Sequence, residues 1–304
     1  MAPTKWLRQS IAVLWTAVDQ FNRTDGWAIA SHVALTALMA MFPFLIFLTA
    51  VASFLNLTDL AQTVVDLIFA AVPQAIAAPI AKEVNSVLLI PRGDLLTIGV
   101  ALAVWFASNG VEALRVGLNR AYGCLEERSF VLLRLESIGF VVIGSFALLT
   151  LGIFVVVAPV AWHWVVVELP IVEEFGRTFA ILRWGGTLTI LGGALLIAHM
   201  WLPSGRRTLG EVLPGVVITL SAWILGGVGF ATYLSNFGNY ASTYAGLAGV
   251  MTALVFLYLI AAILLFGASI NAARIEHKKM EPLVEQLASH GEVPTEPAEA
   301  DAGR

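Results

Sequence analysis

The stretch VWFASNGVEALRVGLNRAYG, Val104 to Gly123, opens as an apolar run and then takes in Asn109, Glu112, Arg115, Asn119 and Arg120. Ser108, Glu112, Arg115 and Asn119 are spaced by four, three and four residues, so on a helix they share one face. Glu112 and Arg115 are placed to pair across one turn, and guanidinium groups hold phosphate or carboxylate through paired hydrogen bonds. An ionised side chain at the centre of a bilayer costs about 2.5–3.5 kcal/mol on insertion scales, so such groups face a bundle interior, a partner or water. Two readings follow. Either the helix reaches the cytoplasmic interface near Glu112, leaving Arg115, Asn119 and Arg120 solvated, or the polar stripe runs inward and lines a cytoplasm-facing cavity as a substrate contact.

Other candidates are more dispersed. His32, in ASHVALT, opens an apolar segment and is either a hydrogen-bonded structural histidine or a residue facing the bundle. Asn271 offers a neutral hydrogen-bonding group near the end of the last apolar stretch. His163 sits between Trp162 and Trp164, as in an outer aromatic belt, and His199 lies near a span's inner end, where solvation is the default. Arg120, Arg128, Arg134, Arg206 and Arg207 form a basic set suited to anionic lipid headgroups, or to ordinary charge bias. The five histidines are scattered over different segments, so they offer no clustered metal site of the kind a hydrolase needs. There is no G-x-x-x-x-G-K-[ST] loop to cradle ATP, and the lone Cys124 excludes an intrachain disulfide. No cofactor and no catalytic residue is implied.

These residues must be positioned by an all-α membrane bundle. Of 304 residues, 59% are hydrophobic and 12% charged, and the mean hydropathy is +0.85, far from the roughly 25% charged of soluble domains. About 20 apolar residues cross a bilayer, and six such spans are expected, near 29–55, 94–114, 135–160, 179–201, 211–234 and 244–272. The polytopic domain then covers 25–275. Within it, about 57–91 is interrupted by Asp66, Gln74, Lys82 and Glu83, and reads as extracytoplasmic helices at the interface, a seventh span being the alternative. Residues 1–24 carry Leu7, Ile11, Leu14, Val18 and Phe21 at helical spacing, predicting an amphipathic interfacial helix rather than a secretory signal. Residues 276–304 read as a cytoplasmic, largely disordered tail, Pro- and Glu-rich from Pro282 onward. Pro43 and Pro159 should bend the first and third spans. Gly185, Gly186, Gly192, Gly193, Gly226, Gly227 and Gly229 predict close helix packing or a site of helix movement.

Basic residues collect on the cytoplasmic side of membrane proteins. Six crossings put 13 of the 17 Lys and Arg on one side, leaving Lys82, Arg92, Arg177 and Arg183 opposite. The asymmetry predicts both termini inside and opposes a seventh span.

The segments ASHVALTALMAMFPFLIFLTA, LNRAYGCLEERSF, LPSGRRTLGEVLPGVV and YLSNFGNYASTYAGLAGVMTALVFLYLIAAILLFGASINA together resemble the YihY/BrkB family of bacterial inner-membrane proteins. The likeness runs from about Asp25 to Arg274. It implies a multi-pass protein of the bacterial inner (cytoplasmic) membrane with six helices and both termini cytoplasmic. Members of that family have been tied to virulence-related resistance and to lipid or solute movement, and long carried a ribonuclease BN label. The family often has a glutamate where this chain has Ser269, which removes an ionisable group that proton coupling would use. Thr36, Ala40 and Ala245 are further departures.

Three function classes stand open. The first is a transporter or lipid translocase without its own ATPase, acting on an anionic lipid or small solute. The second is a membrane scaffold or regulator, favoured by the lack of an evident coupling residue. The third, a membrane-bound enzyme or ribonuclease, lacks a catalytic cluster. Membrane lipids are the expected partners, nucleic acid is not, and the glycine faces would also serve a homo-oligomer.

Overall fold

A computed structural model describes residues 2–54, 96–236 and 247–289. Among them the chain is helical throughout, with α1 (Ala2–Arg23), α2 (Gly26–Phe54), α3 (Leu96–Ala121) and α4 (Phe130–Gly152) followed by a π-wound segment, Ile153–Val157. Then come α5 (Ala158–Glu168), a 3-10 turn at Pro170–Phe175, α6 (Gly176–Trp201), α7 (Leu209–Asn236) and α8 (Leu247–Ser289). The expected interfacial segment 57–91 lies outside the described residues.

Local chemistry sets the helix ends. Between α1 and α2 the chain turns at Asp25, whose φ of 56° is left-handed. The Thr24 hydroxyl there donates to the Gln20 carbonyl at 2.9 Å. Gly26 leaves room for the Phe21 ring, which meets Trp27 edge-on at 5.0 Å. Ser129 caps α4, its hydroxyl accepting from Leu132 N–H. Glu211 reaches back over the start of α7, the Thr208 N–H donating to its Oε2 at 2.8 Å, which is one half of a capping box. Pro159 has no N–H to give the preceding turn, and the winding loosens to π over Ile153–Val157 just ahead of it, the position at which a bend was predicted.

Helix α8 is the hub. It packs against α1, α2, α3 and α7, whereas α6 meets mainly α7 and α4. Correspondingly, 44% of the apolar window in α8 is buried and only 6% of that in α6. The main core gathers Phe21, Ala30, Val33, Leu118, Leu202, Val212, Val216 and Leu265. By length and composition four segments could cross a membrane, Phe130–Glu168, Pro170–Trp201, Leu209–Leu234 and Val250–Met280, and a shorter apolar stretch occupies Gly26–Met41.

Helix α1 lies antiparallel along α8. Phe21 meets Phe266 at 5.8 Å, Ala17 packs with Ile270 and Ala273, and Thr16 Oγ1 is 3.0 Å from His277 Nε2. The opposite side of α1 presents Ile11, Leu14, Trp15 and Val18 outward.

Two expectations need correction. Residues 276–289, read as the start of a disordered tail, continue α8 without interruption to Ser289, and 290–304 lie outside the described residues. The glycines singled out for close packing mostly meet open space. Gly185, Gly193, Gly227 and Gly229 have nothing within van der Waals reach, Gly192 and Gly226 make ordinary or slightly tight contacts, and Gly186 alone of the set is closely covered, by Phe154. The tight crossing is elsewhere. Gly215 and Thr219 on α7 meet Gly267 and Asn271 on α8, and a Cβ on Gly215 would run into the Gly267 carbonyl and the Asn271 amide.

Candidate functional site

The face of α3 carrying Ser108, Arg115 and Asn119 is turned into the protein. Ser108 is fully buried, with its hydroxyl donating to the Trp105 carbonyl at 2.7 Å, and Arg115 and Asn119 are 6% and 7% exposed. The reading in which Arg115 and Asn119 are solvated at an interface is therefore overturned, because packing from other elements covers them. Arg120, next along the helix, is exposed, with Asp25 4.0 Å away. Glu112 stands between two guanidinium groups, 3.4 Å from Arg115 and 3.8 Å from Arg134. Arg134 reaches from α4 to α3: Nη1 donates to Asn109 Oδ1 at 2.9 Å, Nη2 donates to the Trp105 carbonyl at 2.8 Å, and the guanidinium lies over the Trp105 ring at 3.8 Å. It is a clasp between two helices and not the outward headgroup contact expected of it. Arg115 Nε and Nη1, and Arg134 Nε, have no hydrogen-bond partner among the described residues.

One turn further on, a second polar centre joins four elements. The Asn271 amide accepts from Gly215 N–H at 2.7 Å and donates to the Val212 carbonyl at 2.9 Å and the Tyr122 hydroxyl at 3.2 Å. Its orientation is fixed, since a backbone N–H only donates and a carbonyl only accepts. Tyr122 Oη also lies 2.9 Å from His199 Nδ1. The other ring nitrogen of His199, Nε2, is buried with no hydrogen-bond partner among the described residues. His199 is fully buried, so the expectation of a solvated interfacial histidine is corrected. Arg207 stacks on the other side of the phenol at 3.9 Å, its Nη2 donating to Cys124 Sγ and to the Ser204 carbonyl. Burial pushes the Tyr122 phenol up to about 12, against the opposing effects of Asn271 and Arg207, so it stays protonated as a donor.

The loop after α3 is tied by Asn119, whose amide donates to Glu126 Oε2 at 2.9 Å and accepts from Ser204 N–H at 2.7 Å. Arg128 joins Glu126 and Glu136 at 2.8 and 2.7 Å and donates to the Leu202 carbonyl. The hydrogen bonds from Arg128, more than any other cause, hold the Glu126 carboxyl down at about 2.

Beside this loop a groove of about 850 Å³ opens between the first turns of α4, the end of α6 and residues 203–207. Its wall is apolar at Phe140, Ile143, Met200 and Trp201, and charged at Glu127, Arg128, Glu136, Arg206 and Arg207. Three of the five basic candidates, Arg128, Arg206 and Arg207, therefore share one depression, while Arg120 and Arg134 lie outside it. So do Ser108, Glu112, Arg115 and Asn119, although Asn119 holds the backbone of groove residue Ser204. His32 is exposed, which fits neither of its two readings, a structural histidine held by hydrogen bonds or a residue facing the bundle. His163 is exposed beside Trp162, whose ring stacks on Phe179 at 4.4 Å. No group of three or more His, Cys, Asp or Glu able to hold a metal occurs among the described residues.

Sequence reasoning did not single out Tyr122, Glu127 or Trp201, and it misplaced His199. For Tyr122 and His199 a signal was present, since His199 and Asn271 lie near the same expected end of their apolar segments and Tyr122 just beyond that end of α3.

The sequence profile of a family described as Virulence factor BrkB matches residues 17–289. A Bacillus subtilis protein, YfkH, described by its name as ribonuclease-like only putatively, is 28% identical over 86% of this chain and 94% of its own length. A UPF0761 membrane protein of Rhodospirillum centenum is 27% identical over 88% of this chain and 58% of its own length. A UPF0761 membrane protein of Tolumonas auensis is 23% identical over 80% and 79%. No solved structure matches the chain.

Proposed function

The chain belongs to the BrkB family of membrane proteins, and from that membership we propose that it moves a lipid, or a small anionic solute, across a bacterial inner membrane without hydrolysing ATP. In this reading α2 and α3 join the four long apolar segments to make six crossings, both termini are cytoplasmic, and the groove lies at the inner leaflet. The outward apolar stripe of α1 (Ile11, Leu14, Trp15 and Val18) meets the headgroup region.

The observation that carries the reading is the groove. Helices α4 and α6 run antiparallel beside it, and Glu136 to Ile143 spans about 10 Å at 1.5 Å per residue. Charged groups at the loop end and apolar groups two turns deeper form a wall suited to an amphiphile lying along the helices. A soluble solute would gain little from Phe140 and Ile143. The proposal assigns no catalytic step; of the ionisable groups lining the groove, Arg128 and Glu136 are tied to each other.

Reconstitution of the purified chain in liposomes tests it. Fluorescent phospholipid should become accessible to an external quencher faster than in empty vesicles, and Arg206→Gln/Arg207→Gln together should slow it at least tenfold. Rates equal to those of empty vesicles, for lipid and for an entrapped organic anion alike, overturn the transport reading and leave the scaffold one. A scaffold would use the paired α1 and α8 end, where helix continues to Ser289 beyond the apolar segment.

A further inference from the structure

The groove carries charge of both signs, and the way those charges are engaged separates them. Arg128 is held by Glu126 and Glu136, with a further bond to the Leu202 carbonyl. Arg207 is stacked on Tyr122, with its Nη2 committed to Cys124 and Ser204 and its Nη1 buried beneath the surface of the groove. Arg206 and Glu127 line the same groove, are exposed, and make no ion pair or hydrogen bond among the described residues. The depression therefore offers the uncommitted guanidinium of Arg206 and the uncommitted carboxylate of Glu127, beside the apolar wall of Phe140, Met200 and Trp201.

We infer that the groove binds a glycerophospholipid whose headgroup carries a phosphate diester together with a primary amine. This deepens, and rests on, the reading of the groove as the lipid-contacting site. The phosphate is the natural partner of Arg206, since a guanidinium matches phosphate oxygens with parallel N–H donors. The ammonium supplies N–H donors to Glu127. A headgroup with phosphate and no amine leaves that carboxylate unanswered and close to a like charge. A quaternary ammonium supplies the charge without a hydrogen-bond donor. The acyl chain is required as well, because it alone uses the apolar half of the wall.

The experiment measures binding of acyl-labelled fluorescent phosphatidylethanolamine, phosphatidylcholine and phosphatidylglycerol to the full-length chain in detergent, with unlabelled glycerophosphoethanolamine as competitor. The primary-amine lipid should bind about tenfold tighter than the other two, the size of one charge-assisted hydrogen bond. Glu127→Gln should abolish that preference while leaving phosphatidylglycerol binding equal or stronger. Arg206→Gln should weaken all three lipids. Glycerophosphoethanolamine should fail to compete at concentrations where the lipid saturates. A preference that survives Glu127→Gln, no preference in the wild type, or full competition by the free headgroup overturns the inference. Melting curves establish that both variants, which alter exposed side chains, remain folded. Lipid movement in liposomes without headgroup preference would sink this inference and leave the transport reading intact. Amine-selective binding with no movement would do the reverse.

Discussion

At the scale of single residues, the polar groups in this protein are mostly employed in holding helices to one another. Glu126 is the clearest case. Its carboxyl is held at about 2, mainly by the hydrogen bonds from Arg128. A folded-state value below the unfolded one means that the loop is stabilised above about pH 4.5, the ordinary value of the group, and that this stabilisation is lost as pH falls through about 2. Thermal unfolding in detergent should therefore show Glu126→Gln less stable than the wild type at pH 7, with the two curves converging as the pH is lowered from 4.5 towards 2. A gap that stays constant over that range would mean that the pair with Arg128 contributes nothing to folding. The four-three-four polar face was readable from spacing alone, because helical periodicity is a local property. What was not readable was its direction. Whether Arg115 meets water or protein depends on which helices pack over it, and that is decided by residues far along the chain.

At the scale of elements, helix positions were legible and helix contacts were not. The apolar runs locate α2, α3, α4, α6, α7 and α8, because the length and apolarity of a helix are both visible in sequence. The paired glycines at 185–186 and 192–193 suggested a close crossing that α6, at the rim of the bundle, does not make. The crossing that exists uses Gly215 and Thr219 against Gly267 and Asn271, each pair four residues apart, a spacing that sequence displays but does not match to its partner. Gly215→Ala should cost about 1–3 kcal/mol, as overpacking does, and lower the melting temperature in detergent. Gly193→Ala, into open space, should leave it unchanged. Equal effects would mean that α7 and α8 are not in this close register. The continuation of α8 to Ser289 was missed for a related reason. Its Pro- and Glu-rich composition points to disorder, whereas its first turns are tied down by α1 through Thr16 and His277.

At the scale of the whole molecule, family membership and composition agree on a membrane protein, and the proposed orientation can be tested with the single natural thiol. Cys124 is half-buried on the loop after α3. A maleimide unable to cross the membrane should label it in inverted vesicles and leave it unlabelled in spheroplasts, if that loop is cytoplasmic. Labelling from the outer side alone would reverse the topology and place the groove in the outer leaflet.

Asn271 joins residues that are made at very different times. Its amide satisfies Tyr122, 149 positions earlier, and the backbone of Gly215 and Val212, 56 and 59 positions earlier. Those groups are synthesised before Asn271, so their pairing is completed only once α8 has been made. Until then the Gly215 N–H, the Val212 carbonyl and the Tyr122 hydroxyl lack the one side chain that serves all three.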